Sequence, residues 1–215
     1  MDTLYTRSQI REALDPAPST PSEDMHWLAG ASPEVVASVR ATLTTRRTPA
    51  AVLVPLVERA TGMTVLLTQR ATTLKDHAGQ ISFPGGRIEP EDADAWHAAL
   101  REAYEEIGLR SEMVEFAGYL PDHVVISGFR VTPVVGFVKP EYQLQIATAE
   151  VHDVFEVPLD FILDAANHKS RQRKIGEVTI DIHDIPYGER NIWGATAGML
   201  MTLRQRLQTR AARPQ

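Results

Sequence analysis

Cysteine is absent from the 215 residues. Disulfides, thiolate metal sites and a cysteine nucleophile are thereby excluded, and the absence fits a reducing cytosol. A basic excess is missing as well: 28 Asp and Glu stand against 22 Lys and Arg, a formal net charge of −6, which argues against a chain that coats nucleic acid or an anionic membrane surface. Any anionic ligand must be met by local groups. No apolar run approaches the roughly 20 residues of a spanning helix, and the opening "MDTLYTRSQIREALDPAP" lacks the apolar core of a secretory signal. Internal repeats and low-complexity tracts are also missing. These absences point to a soluble cytoplasmic protein with neither nucleic acid nor membrane as partner, long enough for one core and suited to one domain with elaborated ends.

What is present reads as an alternation of element types. A short helical stretch near Ser8 to Leu14 precedes the Pro/Ser-rich "DPAPSTPSED". In "SPEVVASVRATL", Ser32 can cap a helix with Pro33 at its first position and Val35, Val36 and Val39 as its apolar stripe. "AAVLVPLVE" (50 to 58) and "MTVLLTQR" (63 to 70), separated by "RATG", predict a hairpin. "MVEFAGYLPDH", "RVTPVVGFVKP" and "AEVHDVFEVPL" predict strands, "DFILDAANH" a short helix, "KIGEVTIDIHDI" a strand and "IWGATAGMLMTLRQRLQ" a helix. Strands and helices mix without a βαβ beat, so an α+β fold is expected, a mixed sheet with helices on its faces.

The stretch "FPGGRIEPEDADAWHAALREAYEEIGL" (83 to 109) carries the chemistry. On a helix at about 100° per residue, Trp96, Ala99, Leu100, Ala103 and Ile107 form one core-facing stripe. Glu102 and Glu106 fall about 40° apart on its flank, while Glu105 sits further round beside Arg101 at the i, i+4 spacing. Exposed like charges one turn apart cost roughly 0.2–0.5 kcal/mol, and a divalent cation reverses that sign. A Glu-rich helix face is also the ordinary composition of a solvated surface. Gly85 and Gly86 just upstream add context, since a backbone without Cβ can approach a ligand closely.

Gly86 followed by "REAYEEIGL" (101 to 109) resembles the Nudix box, G-x5-E-x7-R-E-U-x-E-E-x-G-U with U a bulky aliphatic residue. The right half matches, with Ala103 a small occupant of its U position. Gly86 lies one residue further from Arg101 than the pattern, so the first acidic position is Asp92 counted forward and Ala93 counted back. "LLTQRATTLKDHAGQISFPGG" (66 to 86) is similar to the signature of the coenzyme A pyrophosphatase subgroup, L-L-T-x-R-(S/A)-x3-R-x3-G-x3-F-P-G-G, with Lys75 in place of the second arginine. Members of that subgroup tend to carry the longer Gly-to-Arg spacing.

The resemblance implies a Nudix-like α/β/α sandwich, with residues 1–45 a helical extension packed on a domain over 46–215. It implies Mg2+ or Mn2+ as cofactor, held by Glu102, Glu105, Glu106 and Gly86. Glu102, Glu105, Arg101 and Glu150 are implied as catalytic residues, and Arg70, Lys75, Phe83 and Gly85 as substrate-binding ones. His77 or His123 could also serve as base, and Trp193, in "WGATAGML", is expected in the core. The implied reaction is hydrolysis of coenzyme A or an acyl-CoA to 3′,5′-ADP and 4′-phosphopantetheine or its acylated form. A homodimer is open. The alternatives are a Nudix hydrolase of another nucleoside diphosphate-X substrate such as ADP-ribose, and a non-catalytic nucleotide-binding module; retention of all three box glutamates argues against the module.

Overall fold

The run Thr48–Arg59 is buried along most of its length rather than on alternate residues, as befits a strand covered on both faces. It is β1, the centre of a mixed sheet in the computed structural model, which describes residues 5–18, 33–34, 47–125, 128–175 and 178–211. β2 (Gly62–Arg70) returns antiparallel to it, Leu56 opposite Val65, and confirms the hairpin. On the other edge β7 (Phe129–Val138) runs parallel to β1 from Thr48–Phe129 to Val57–Val138. β5 (Val114–Tyr119) and β6 (His123–Val124) pair with β7, β8 (Val151–Pro158) pairs with one edge of β2, and β3 (Ile81–Ser82) pairs with the opposite edge at Thr68 and Gln69.

One edge of β1 changes partner midway. β2 holds it over Leu56–Arg59, whereas β4 (Gly85–Arg87) holds it over Ala50–Val52. Between them the Leu53 N–H donates to the Pro84 carbonyl at 2.9 Å. The Pro-Gly-Gly turn therefore sits in a fork of the sheet.

Each face is covered. Leu53, Val57 and Leu66 point toward α2 (Ala95–Ile107) and share a core with Ala98, Ala99, Ala103 and Ile107. Val54, Leu56 and Leu67 share the opposite core with Leu200, Leu203 and Leu207 of α4 (Gly194–Ala211). This is the α/β/α sandwich. α3 (Leu159–Leu163) follows β8 as expected. α1 (Arg7–Ala13), closed by a Thr6–Gln9 capping box, buries Ile10 and pairs Arg7 and Arg11 with Glu115 of β5, and Glu12 with Arg210 of α4. The helix expected from Ser32 lies outside the described residues, save Pro33 and Glu34, which are helical.

Two expectations need correction. "KIGEVTIDIHDI" is not one strand: β9 (Lys169–Ile175) and β10 (Val178–Tyr187) pair antiparallel, and β11 (Arg190–Trp193) completes a second, three-stranded sheet. Ile192 and Trp193 accordingly belong to a strand, and the last helix begins only at Gly194, whose φ of +64° makes the turn. Among the described residues no helix is long and apolar enough to cross a membrane.

Away from the fork, Glu156 of β8 accepts from Arg59, Thr64 and Tyr142, the Arg59 Nε donating at 3.0 Å. Burial pushes its carboxyl up, but these donors outweigh burial and hold it down at about 2. Because the folded value lies below the unfolded one, the stabilisation is complete above about pH 5 and is lost as pH falls toward 2. Allowing for partial solvent screening, it is on the order of 2 kcal/mol. Glu156→Gln is therefore expected to lower stability by about that amount at pH 7 and by much less at pH 3. Urea denaturation at the two pH values measures it, and an equal loss at both would remove the ionic account.

Candidate metal and phosphate site

The fork leaves no room for side chains at its turn. A Cβ on Gly85 would stand 2.4 Å from the Ala51 carbonyl oxygen and 2.7 Å from the Val52 Cα. One on Gly86 would stand 2.5 Å from the carboxylate of Glu102. The first glycine lets the turn lie on β1, and the second lets a carboxylate lie on the turn.

α2 delivers that carboxylate. Asp94 caps it through the His97 N–H, and Gly108 ends it in a left-handed conformation at φ +69°. Ala98, Ala99, Ala103 and Ile107 form its buried face, with Trp96 and Leu100 partly buried at the margin. The small Ala103 brings the helix close to the sheet. Glu106 is consequently 4% exposed, one carboxylate oxygen 3.3 Å from the donating Gly85 N–H and the other 3.9 Å from the Arg70 guanidinium. Burial pushes its carboxyl up to about 8; Arg70 opposes this, and the charges of Glu102 and Glu150 reinforce it. Burial likewise pushes Glu102 up against the pull of Arg101.

Arg101 organises the outer side. It donates to both oxygens of Asp92 at 3.0 and 2.9 Å, to Glu102 at 2.9 Å, to Glu105 at 3.1 Å and to the Arg87 carbonyl at 3.0 Å. Hydrogen bonding to Arg101 holds the Asp92 carboxyl below its usual range. Asp92, the acidic position reached by counting forward from Gly86, is thus the planar partner of Arg101. The spacing from Gly86 marks the position, but a bond across the loop to the helix has no local sequence signal. Glu105 is more than half exposed and faces outward beside Arg101.

Glu150 reaches the cluster by a second route. The 139–150 loop is stitched to the end of α2: Gln145 N–H donates to the Ile107 carbonyl and Ala147 N–H to the Glu106 carbonyl, both at 2.9 Å. The Glu150 carbonyl accepts from Ala71 N–H at 2.8 Å, next to Arg70. Its charge acts on both Glu102 and Glu106.

Other expected residues lie elsewhere. Phe83 is 2% exposed within the core beneath α4, so it anchors the turn and offers no face to a substrate. Lys75 is exposed on the loop after β2. His77 is exposed and bonded to Gln80 at 2.8 Å, and the His123 ring packs against Gly198 of α4. Trp193 is only half-buried, its ring 5.5 Å from the Arg171 guanidinium, and it is not a core residue.

A hard divalent ion fits this donor set. Glu102 and Glu106 have raised proton affinities, and the Arg70 Nε is a buried donor without a partner. Among the described residues no three His, Asp or Glu side chains already form a cage. Magnesium ordinarily keeps several waters and takes one or two carboxylates plus phosphate oxygens.

Residues 47–177 match the NUDIX domain family. The chain is 40% identical over 164 residues to a protein of Citrobacter koseri named "Uncharacterized Nudix hydrolase NudL", a match over 74% of this chain and 83% of that one. The protein of the same name in Escherichia coli K12 is 40% identical over 158 residues, 72% of this chain and 80% of that one. Among solved structures, the MutT protein from Methanosarcina mazei Go1 has the same fold at TM-score 0.50 and 16% identity, over 79% of this chain and 99% of that one. The chain belongs to the Nudix hydrolase family.

Proposed function

We propose that the protein hydrolyses the pyrophosphate bond of coenzyme A or an acylated form, releasing 3′,5′-ADP and 4′-phosphopantetheine or its acyl derivative. The observation that carries this reading is the meeting of Arg70, from the 66–86 stretch, with Glu106 of α2 at 3.9 Å beside the Gly85–Gly86 turn. Two separate motifs thus converge on one place. Residues 46–215 would form the catalytic domain and residues 1–45 an extension of it.

Glu102 and Glu106 would hold Mg2+ or Mn2+, with the Gly86 carbonyl as a further oxygen donor. When bound, the ion supplies charge neutralisation at the diphosphate and a water of lowered pKa. Arg70 presents a fork of donors to a phosphate, and the Gly85 N–H adds a backbone donor. Arg101 keeps Glu102 in register, and Glu105 backs Arg101 from outside rather than reaching the phosphates. The attacking water gives its proton to a carboxylate oxygen of Glu102 or Glu150 as its oxygen bonds to phosphorus and the bridging P–O bond breaks. Lys75 would attract the 3′-phosphate as a point charge.

Product analysis tests this. With magnesium or manganese, coenzyme A, dephospho-coenzyme A, ADP-ribose and a dinucleoside polyphosphate are each incubated with the protein and the products separated. Release of 3′,5′-ADP chiefly from coenzyme A is expected. Turnover of another compound alone would replace the substrate, and silence across the panel with metal bound would favour a binding module.

A further inference from the structure

A second cavity opens around the end of β2 from the carboxylate site. It measures about 470 Å3 and is lined by Gln69, Gly79, Ile81, Glu189, Arg190, Asn191 and Trp193, a volume within the ordinary range of about 300–1,000 Å3 for small-molecule pockets. One wall comes from the 66–86 stretch. The other comes from the β10–β11 hairpin, which lies beyond residue 177 where the family match ends. The family's shared chemistry therefore does not account for this wall.

Its charges exclude a second phosphate site. Among the described residues Arg190 is the only cation in the lining, and it is engaged by Asp153 at 2.6 Å while its guanidinium lies 4.3 Å from the Phe155 ring centroid. Glu189 adds a negative charge, so an anion would meet repulsion. The remaining groups are side-chain amides and an indole. Asn191 Nδ2 donates to Asp184 at 2.8 Å and Gln69 Nε2 to the Gly79 carbonyl at 3.4 Å, which leaves both amide oxygens to accept. Trp193, with Arg171 over its ring, supplies a half-exposed apolar wall. Hydrogen-bond acceptors beside an apolar wall suit an uncharged chain that carries secondary amides and small alkyl groups.

The cavity adjoins the phosphate site along the chain, since Gln69 of its lining immediately precedes Arg70. Gly79 N–H donates to the Arg70 carbonyl at 3.2 Å, and the pairing of β2 with β8 slips between Gln69 and Arg70, so the two residues turn away at the strand's end. We propose that this cleft receives the uncharged amide arm of the substrate, with Trp193, Asn191 and Gln69 selecting what lies beyond the diphosphate. This rests on the reaction proposed above: for coenzyme A the occupant is the pantetheine arm.

Pantetheine, which has no phosphate, is the probe. Calorimetric titration into the full chain should give saturable binding, weakened about tenfold or more in Trp193→Ala, as for a lost apolar wall. Asn191→Ala, on an exposed side chain, should weaken it less and guards against misfolding of the first variant. For Trp193→Ala, kcat/KM on coenzyme A should fall by about tenfold, chiefly through KM, and on any turned-over diphosphate without an amide arm by less than about twofold. Failure of the parent to bind pantetheine, or equal binding by both variants, overturns the cleft. Trp193-dependent pantetheine binding without coenzyme A turnover keeps the cleft and overturns the reaction.

Discussion

Glu106→Gln is expected to lower turnover at saturating magnesium by about 100- to 1,000-fold, about 3–4 kcal/mol of transition-state stabilisation, while leaving the metal-free chain at least as stable as the parent. The two halves follow from one observation. Glu106 is buried so deeply that its carboxyl is pushed up to about 8, so ionising it in the folded state is costly. The neutral amide removes that cost and keeps an oxygen to accept from the Gly85 N–H, but it lacks the charge a hard cation requires. Turnover against magnesium concentration, with thermal melts in chelator, measures both. Near-parental turnover would remove Glu106 from the ligands, and a large loss of metal-free stability would recast it as a structural residue paired with Arg70.

The adjacent glycines should fail in different ways. In Gly85→Ala the new Cβ meets main chain, the Ala51 carbonyl and the Val52 Cα, which cannot move without parting β4 from β1. A loss of about 3 kcal/mol and about 6–12 °C in Tm is expected. In Gly86→Ala the Cβ meets only the carboxylate of Glu102, the end of a flexible side chain. That variant should melt within a few degrees of the parent yet lose most of its turnover. Melting curves and turnover of both variants decide the matter; identical losses in the pair would mean that the turn acts as one unit.

Much of this was legible in the residues. The 3.6-residue spacing of Ala99, Ala103 and Ile107 fixed the core face of α2 and placed Glu102 and Glu106 together. The hairpin of β1 and β2 followed from two apolar runs and a short turn. The parallel partnership of β1 with β7 did not, because pairing across about eighty residues leaves no local trace. β3 and β4 were hidden because Pro84, Gly85 and Gly86 read as a turn alone. The antiparallel pairing of β9 with β10 escapes the sequence because residues 174–185 read as one alternating run. At the site, Glu106 and Arg70 were foreseen as residues but not as neighbours. The helical spacing already sets Glu105 apart beside Arg101, whereas the burial of Phe83 depends on tertiary packing.

The two backbone hydrogen bonds that stitch the 139–150 loop to the end of α2 bear on how an ion would be received. They hold Glu150 near Glu102 and Glu106 although some forty residues separate them in the chain, and they do so through amides that have no stake in charge. Folding thus brings these carboxylates together without a cation, and Glu106 answers with a raised proton affinity. A cation arriving there would find loop and helix already tied together, with only the side chains left to gather around it.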